Sequence, residues 1–112
     1  MRAACERVLA TVVGDDVDSF LSAIPRGARI RLFGQARAPA AAVRARIRRE
    51  GGLVRLLGGQ SASADVVGDA DSPLLLVYSN DIVDRPAPEA SFRWDAMNGS
   101  WELISIQEPP PE

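Results

Sequence analysis

Apolar side chains open the chain at helical spacing. Cys5, Val8, Leu9, Val12 and Val13 follow one stripe of a 3.6-residue period, which predicts an amphipathic helix stopped by Gly14. Glycine there accepts the left-handed conformation that ends helices. Asp15 or Asp16 then caps a second, shorter helix carrying Val17, Phe20, Leu21 and Ile24, and Pro25, Arg26 and Gly27 break it. From Ala28 to Gln35 the period changes to two, with arginines alternating against Ile30 and Leu32, which predicts a short strand.

Pro39 suits the first turn of a third helix and Gly51 and Gly52 its end. Its apolar stripe is narrow, Val43 and Ile47 among Arg44, Arg46, Arg48 and Arg49. Leu53 to Val67 reads as a long strand bent at a bulge on Gly58 and Gly59. Gly68 to Pro73 is a turn by composition, and Leu74 to Val83 is the most apolar strand, hydrophobic on both faces in its first half. Asp84 to Ala90 reads as a loop. Ser91 to Ile106 then forms a hairpin, with Asn98 and Gly99 supplying the positive φ angles of a type I′ turn. Residues 1–107 make one domain and 108–112 an extended Pro-rich tail.

Helices followed by a run of strands imply an α+β fold, with the helices on one face of a curved antiparallel sheet. Bent strands curl such a sheet into a cone around a cavity. The two-sided apolarity of Leu74 to Val77 requires cover on the sheet's other face, for which a second copy of the chain is the natural candidate, so a homodimer is expected.

Composition narrows the chemistry. At 112 residues, 46% hydrophobic and 25% charged, the chain fits one globular domain. No apolar run approaches the ~20 residues that span a bilayer, and Glu6 and Arg7 interrupt the apolar core a signal peptide needs, so a cytoplasmic protein is expected. All 13 basic residues are arginine, as a GC-rich bacterial genome produces. A net charge of −2 argues against nucleic acid as a partner. The basic third helix lacks the large hydrophobes and aromatic anchor of a membrane-surface helix, which leaves it a solvated face.

The chain has no histidine, which removes Ser-His and Cys-His nucleophile pairs and imidazole metal ligands. A general base would be Asp, Glu or Tyr with a pKa moved by burial. Cys5, the single cysteine, excludes an internal disulfide and a cysteine zinc site and reads as a buried thiol. No metal site or cofactor is expected. The glycines from Gly51 to Gly59 lack dinucleotide or P-loop spacing, and the acidic turns lack a calcium loop's ligand series.

The opening CERVLATVVGDDVDSFLSAI, the RIRLFGQ strand with the following AAAVRARI helix, and the closing FRWDAMNGSWELISI hairpin together resemble the NTF2-like superfamily, the SnoaL-type or cystatin-like α+β cone. The likeness covers nearly the whole chain as an order of elements. It implies a cone-shaped pocket, dimerisation through the sheet, and either of two uses. One is a non-catalytic domain that binds a small apolar molecule or a protein partner. The other is an isomerase, cyclase or hydrolase acting on a polyketide- or steroid-like substrate with an Asp as acid or base. The family's isomerases place a Tyr on the first helix, where this chain has Val and Ala, and its dehydratases use His. Its epoxide hydrolases use an Asp-Arg-Asp set, for which Arg31, Asp81 and Asp95 supply the residue types.

Two strand segments hold the candidate ligand-binding residues. Alternation puts Tyr78 and Asn80 on one face of their strand, a polar pair able to orient a carbonyl or hydroxyl, unless that strand end is simply solvated. Asp81 falls on the opposite face. Phe92 and Trp94 share a face of theirs, either as core or as an apolar wall for a ligand. If adjacent strands bring both pairs to one concave surface, Phe92 and Trp94 form the wall and Tyr78 and Asn80 the polar handles.

Overall fold

The computed structural model of the protein describes residues 2–57, 59, 61–79 and 88–107. The opening apolar stripe is a helix, α1 (Arg2–Val13), which buries Ala4 and Val12 and packs Cys5, Val8 and Leu9 against the core. Val13 lies about 100° around the helix from Val12 and stays 61% exposed, so it leaves the expected stripe. Gly14 follows, but the left-handed residue is Asp15, at φ 53°. Asp16 caps α2 (Val17–Leu21), its carboxylate accepting from the Ser19 amide and hydroxyl. Those two bonds hold the Asp16 carboxyl below the usual carboxylate range, the hydroxyl contributing more than the amide.

The expected strand from Ala28 to Gln35 is two strands. β1 (Ile30–Leu32) reverses at Phe33 and Gly34, both at positive φ, into β2 (Gln35–Ala38). A bulky residue at positive φ is uncommon. Phe33 is covered there by the Arg46 guanidinium, 4.4 Å above its ring. α3 (Ala40–Glu50) starts after Pro39 and ends on a left-handed Gly51, as the sequence predicts, with Val43 and Ile47 buried.

Leu53 to Val67 is not one strand. Leu53, Leu56 and Leu57 stand at i, i+3 and i+4, the helical period, and α4 (Leu53–Leu56) turns all three into the core. β3 (Ala62–Val67) begins after it. β4 (Leu74–Ser79) is the first part of the expected apolar strand, whose remaining residues 80–83 lie outside the described residues. So do most of the expected loop (84–87) and the Pro-rich tail (108–112).

The closing hairpin pairs β5 (Glu89–Asp95) with β6 (Ser100–Gln107). Its turn has four residues, 96–99, and only Gly99 is at positive φ, so it is not the expected two-residue type I′ turn. The reason is Asp95. Its carboxylate accepts from the Asn98 side chain and from the Met97 and Asn98 amides, folding the turn around itself. Led by the Asn98 side chain, these donors keep the Asp95 carboxyl below its ordinary value.

The strands form one six-stranded sheet in the order β2-β1-β6-β5-β4-β3, antiparallel throughout except for parallel β1 and β6. The fold is α+β with a mixed sheet, where the sequence predicted a wholly antiparallel one. The inner face carries Ile30, Leu32, Leu75, Val77, Ala90, Phe92, Trp101, Leu103 and Ile106 into the core beneath the helices. Phe20 of α2 meets Phe92 edge-on, with ring centroids 5.9 Å apart. The outer face carries Leu74, Leu76 and Tyr78 from β4, opposite Val67, Asp65 and Ser63 on β3. No helix among the described residues is long and apolar enough to cross a membrane.

Candidate functional site

Register separates the residues that the sequence placed together. Leu75 pairs with Phe92 and Val77 with Ala90, so Phe92 belongs to the inner face. Tyr78 pairs with Glu89 and belongs to the outer one. Tyr78 and Phe92 therefore do not line one surface, and Asn80 lies outside the described residues. The Tyr78 hydroxyl donates instead to the Asp65 carboxylate, diagonal to it on β3. That bond, reinforced by burial and by the charges of Asp65 and Glu89, raises the phenol pKa above its ordinary value.

The Asp-Arg-Asp set is not assembled from its described members. Arg31 is exposed beside Ser105 on β6. Asp95 pairs with Ser100, five positions back along the same strand, or roughly 16 Å at about 3.3 Å per residue. Asp81 lies outside the described residues.

Phe92 and Trp94 do remain together on the inner face, and of the two Phe92 borders a concavity. Phe92 is fully buried, and it lines a groove of about 570 Å³ between α1, α2 and the closing hairpin. Cavities that hold small ligands span about 300–1,000 Å³. Its accessible apolar lining is aliphatic, from Val8, Ala10, Ala23 and Pro25, over a floor in which Phe20, Phe92 and Trp101 are themselves buried. Trp94 backs Trp101, with ring centroids 5.0 Å apart at 63°.

The polar groups of the groove are mostly committed to the protein itself. Thr11 donates its hydroxyl to the Val8 carbonyl at 2.7 Å, Ser19 to the Asp16 carboxylate at 2.7 Å, and Ser22 to the Ser19 carbonyl. The Asn98 amide is held by Asp95, and Glu102 is bridged to Arg93 at 2.9 Å. Arg7 and Ser100 stand exposed to solvent. One lining donor differs: the Trp101 indole Nε1 is buried and meets no acceptor among the described residues. Burying such a donor unpaired costs on the order of 1–3 kcal/mol.

Chemically, this groove can take up a small apolar body. Glu102 is the only carboxylate among its described lining residues. No group of three or more Asp, Glu, His or Cys gathers to hold a metal among the described residues.

A second concavity of about 340 Å³ lies beside Asp15, Arg44 and Arg48. Asp15 there accepts from the Leu53 amide, and Arg44 is bridged to Asp18 at 2.7 Å.

Trp101, Phe20 and the α1 wall were not singled out from the sequence. Their signal was present as the Trp101–Leu103 alternation of β6 and the Val8–Val12 stripe of α1, but nothing local says that the two elements leave a gap. Comparison with known family models and with curated proteins finds no match to this chain.

Proposed function

We propose that this chain is a non-catalytic binding module of NTF2-like architecture, which holds a small apolar molecule in the groove between α1, α2 and the closing hairpin and pairs with a second copy through the outer face of its sheet. The observation that carries the reading is the groove's lining. The groove, of about 570 Å³, has room for a two-ring compound against aliphatic side chains, while its hydroxyls, amide and carboxylate are held by the protein's own partners. An apolar guest there gains by leaving water and displaces few established hydrogen bonds.

The NTF2-like reading draws support from element order. Two helices, a short hairpin and two further helices, α3 and the single turn α4, precede the long strands, and β1 lies beside the last strand, β6. The bulge between Ser91 and Phe92 bends β5, the kind of kink that curves a sheet. Pairing through the outer face draws support from its charges. Arg93 is bridged to Glu102 and Tyr78 bonded to Asp65, so these groups bring little net charge against a copy of themselves.

The test uses 2-isopropenylnaphthalene, a two-ring hydrocarbon. Amide spectra of the labelled protein should shift at Val8, Thr11, Phe20, Ala23 and Trp101. Val8→Trp, which fills the groove from a half-buried helix position, should abolish the shifts while leaving the circular dichroism spectrum unchanged. Saturable shifts confined to another part of the molecule, or none at all, would overturn the reading.

A further inference from the structure

We infer that the groove's occupant is an amphipathic acid, whose apolar body lies between α1, α2 and the closing hairpin and whose carboxylate meets the Arg7 guanidinium at the solvent edge. This rests on the groove reading and adds the ligand's head group.

Arg7 is exposed on α1, and of the described arginines it is the one that lines the groove. Arg44 is bridged to Asp18, Arg46 to Glu50 and Arg93 to Glu102, whereas Arg7 has no ion-pair or hydrogen-bond partner among the described residues. Its own helix explains why. Side chains meet along a helix at three and four positions apart, and at those positions from Arg7 stand Ala3, Ala4, Ala10 and Thr11. None of them is charged. The other charged lining residue, Glu102, is drawn to Arg93 at 2.9 Å, which leaves the Arg7 guanidinium unmatched.

The neutral polar groups offer a head group little. Thr11, Ser19 and Ser22 donate within the protein, and the Asn98 amide is held by Asp95. Ser100 is the remaining hydroxyl, exposed on the hairpin side. A ligand's polar head therefore finds its donors at the groove's edge, where a charge also costs least. A carboxylate kept at solvent retains much of its hydration, so the large penalty of burying an ion does not arise. Guanidinium and carboxylate match through two parallel N–H···O bonds. One guanidinium balances one carboxylate, whereas a phosphate monoester brings roughly twice the charge.

2-Naphthylacetate and 2-naphthylacetamide test this, because they share a shape and differ in the charge of the head. Followed by the amide shifts of Val8, Thr11 and Ala23, the acid should bind about five-fold more tightly than the amide at low ionic strength. The preference should shrink at about 1 M salt, where the Debye length is only about 3 Å. Arg7→Gln should abolish it and leave the affinity for the amide unchanged. Arg7 is exposed and glutamine forms helix about as well as arginine, so this variant should keep the fold. Arg49→Gln removes the same charge from an exposed position on α3 outside the groove, and should retain the preference. Equal binding of acid and amide in the groove, or a preference that survives Arg7→Gln, overturns the carboxylate head while the groove reading stands. Acid-specific shifts gathered at Arg48 and Gly51 place the head in the second concavity and overturn it as well. If 2-isopropenylnaphthalene binds and neither of these probes does, the head alone falls. If none of the three binds, both readings fall.

Discussion

Tyr78 shows how much of a residue's chemistry is set by the strand next to it. Its hydroxyl reaches the Asp65 carboxylate across one ladder, and a phenol that donates to an anion resists giving up its proton. The raised pKa means that the neutral phenol is favoured in the folded state. The resulting stabilisation is fully present below the ordinary tyrosine pKa of about 10 and is lost as pH rises through the raised value. The chain contains a single tyrosine, so its phenolate absorbance titrates this group alone. The midpoint should lie above 10 in the native protein and fall back toward the ordinary value in Asp65→Ala. A native midpoint equal to that of the unfolded chain would show the bond is not held in solution. In the sequence, alternation correctly placed Phe92 with Trp94. It could not relate them to Tyr78, because face-sharing between strands depends on register, and a one-residue difference in pairing reverses it.

At the scale of elements, the legible parts were those written in local chemistry. α1, α2 and α3 follow from the 3.6-residue stripe, the Asp16 cap and the Gly51 stop, each a matter of a few neighbouring residues. The closing hairpin was legible too, but its turn was not. An Asn-Gly turn of two residues would set Trp94 opposite Leu103, whereas the four-residue turn around Asp95 sets it opposite Trp101. The slip is two residues, so every side chain keeps its face while the two indoles come to face each other. The β1–β2 reversal was hidden because Phe33 is held at positive φ beneath Arg46, thirteen residues away in the chain. α4 was hidden because Leu53, Leu56 and Leu57 mark only one helical turn, and so short an apolar run is not told from the start of a strand by period alone.

Tertiary contact also decides the junction at Asp15, whose carboxylate accepts from the Leu53 amide at 2.9 Å and so ties the α1–α2 turn to the start of α4. Asp15→Ala removes that acceptor and leaves a β-carbon at φ 53°, and should cost about 2 kcal/mol. Asp15→Asn keeps an acceptor oxygen and tolerates the conformation, and should cost under about 1 kcal/mol. Urea denaturation of both variants measures the difference. Equal losses would mean that the tie contributes nothing.

For the whole molecule, the sheet has one face closed by helices and another that presents Leu74 and Leu76, half-buried, beside Val67, 39% exposed. An apolar row on the last two strands of the sheet gains by being covered, and a two-fold copy covers both rows at once. The proposed pairing therefore predicts a mass near twice the 12.0 kDa chain by light scattering at tens of micromolar, and a thermal midpoint that rises with protein concentration. Leu76→Arg separates the dimer from the fold. Leu76 pairs with Asp65 across β3, so the new guanidinium gains a carboxylate within its own chain but brings two like charges together across a two-fold interface. The variant should scatter as a 12.0 kDa particle with a midpoint independent of concentration, while keeping its circular dichroism and its response to 2-isopropenylnaphthalene, because the groove lies on the opposite face of the sheet. A native protein already at 12.0 kDa would refute the pairing and leave the groove untouched.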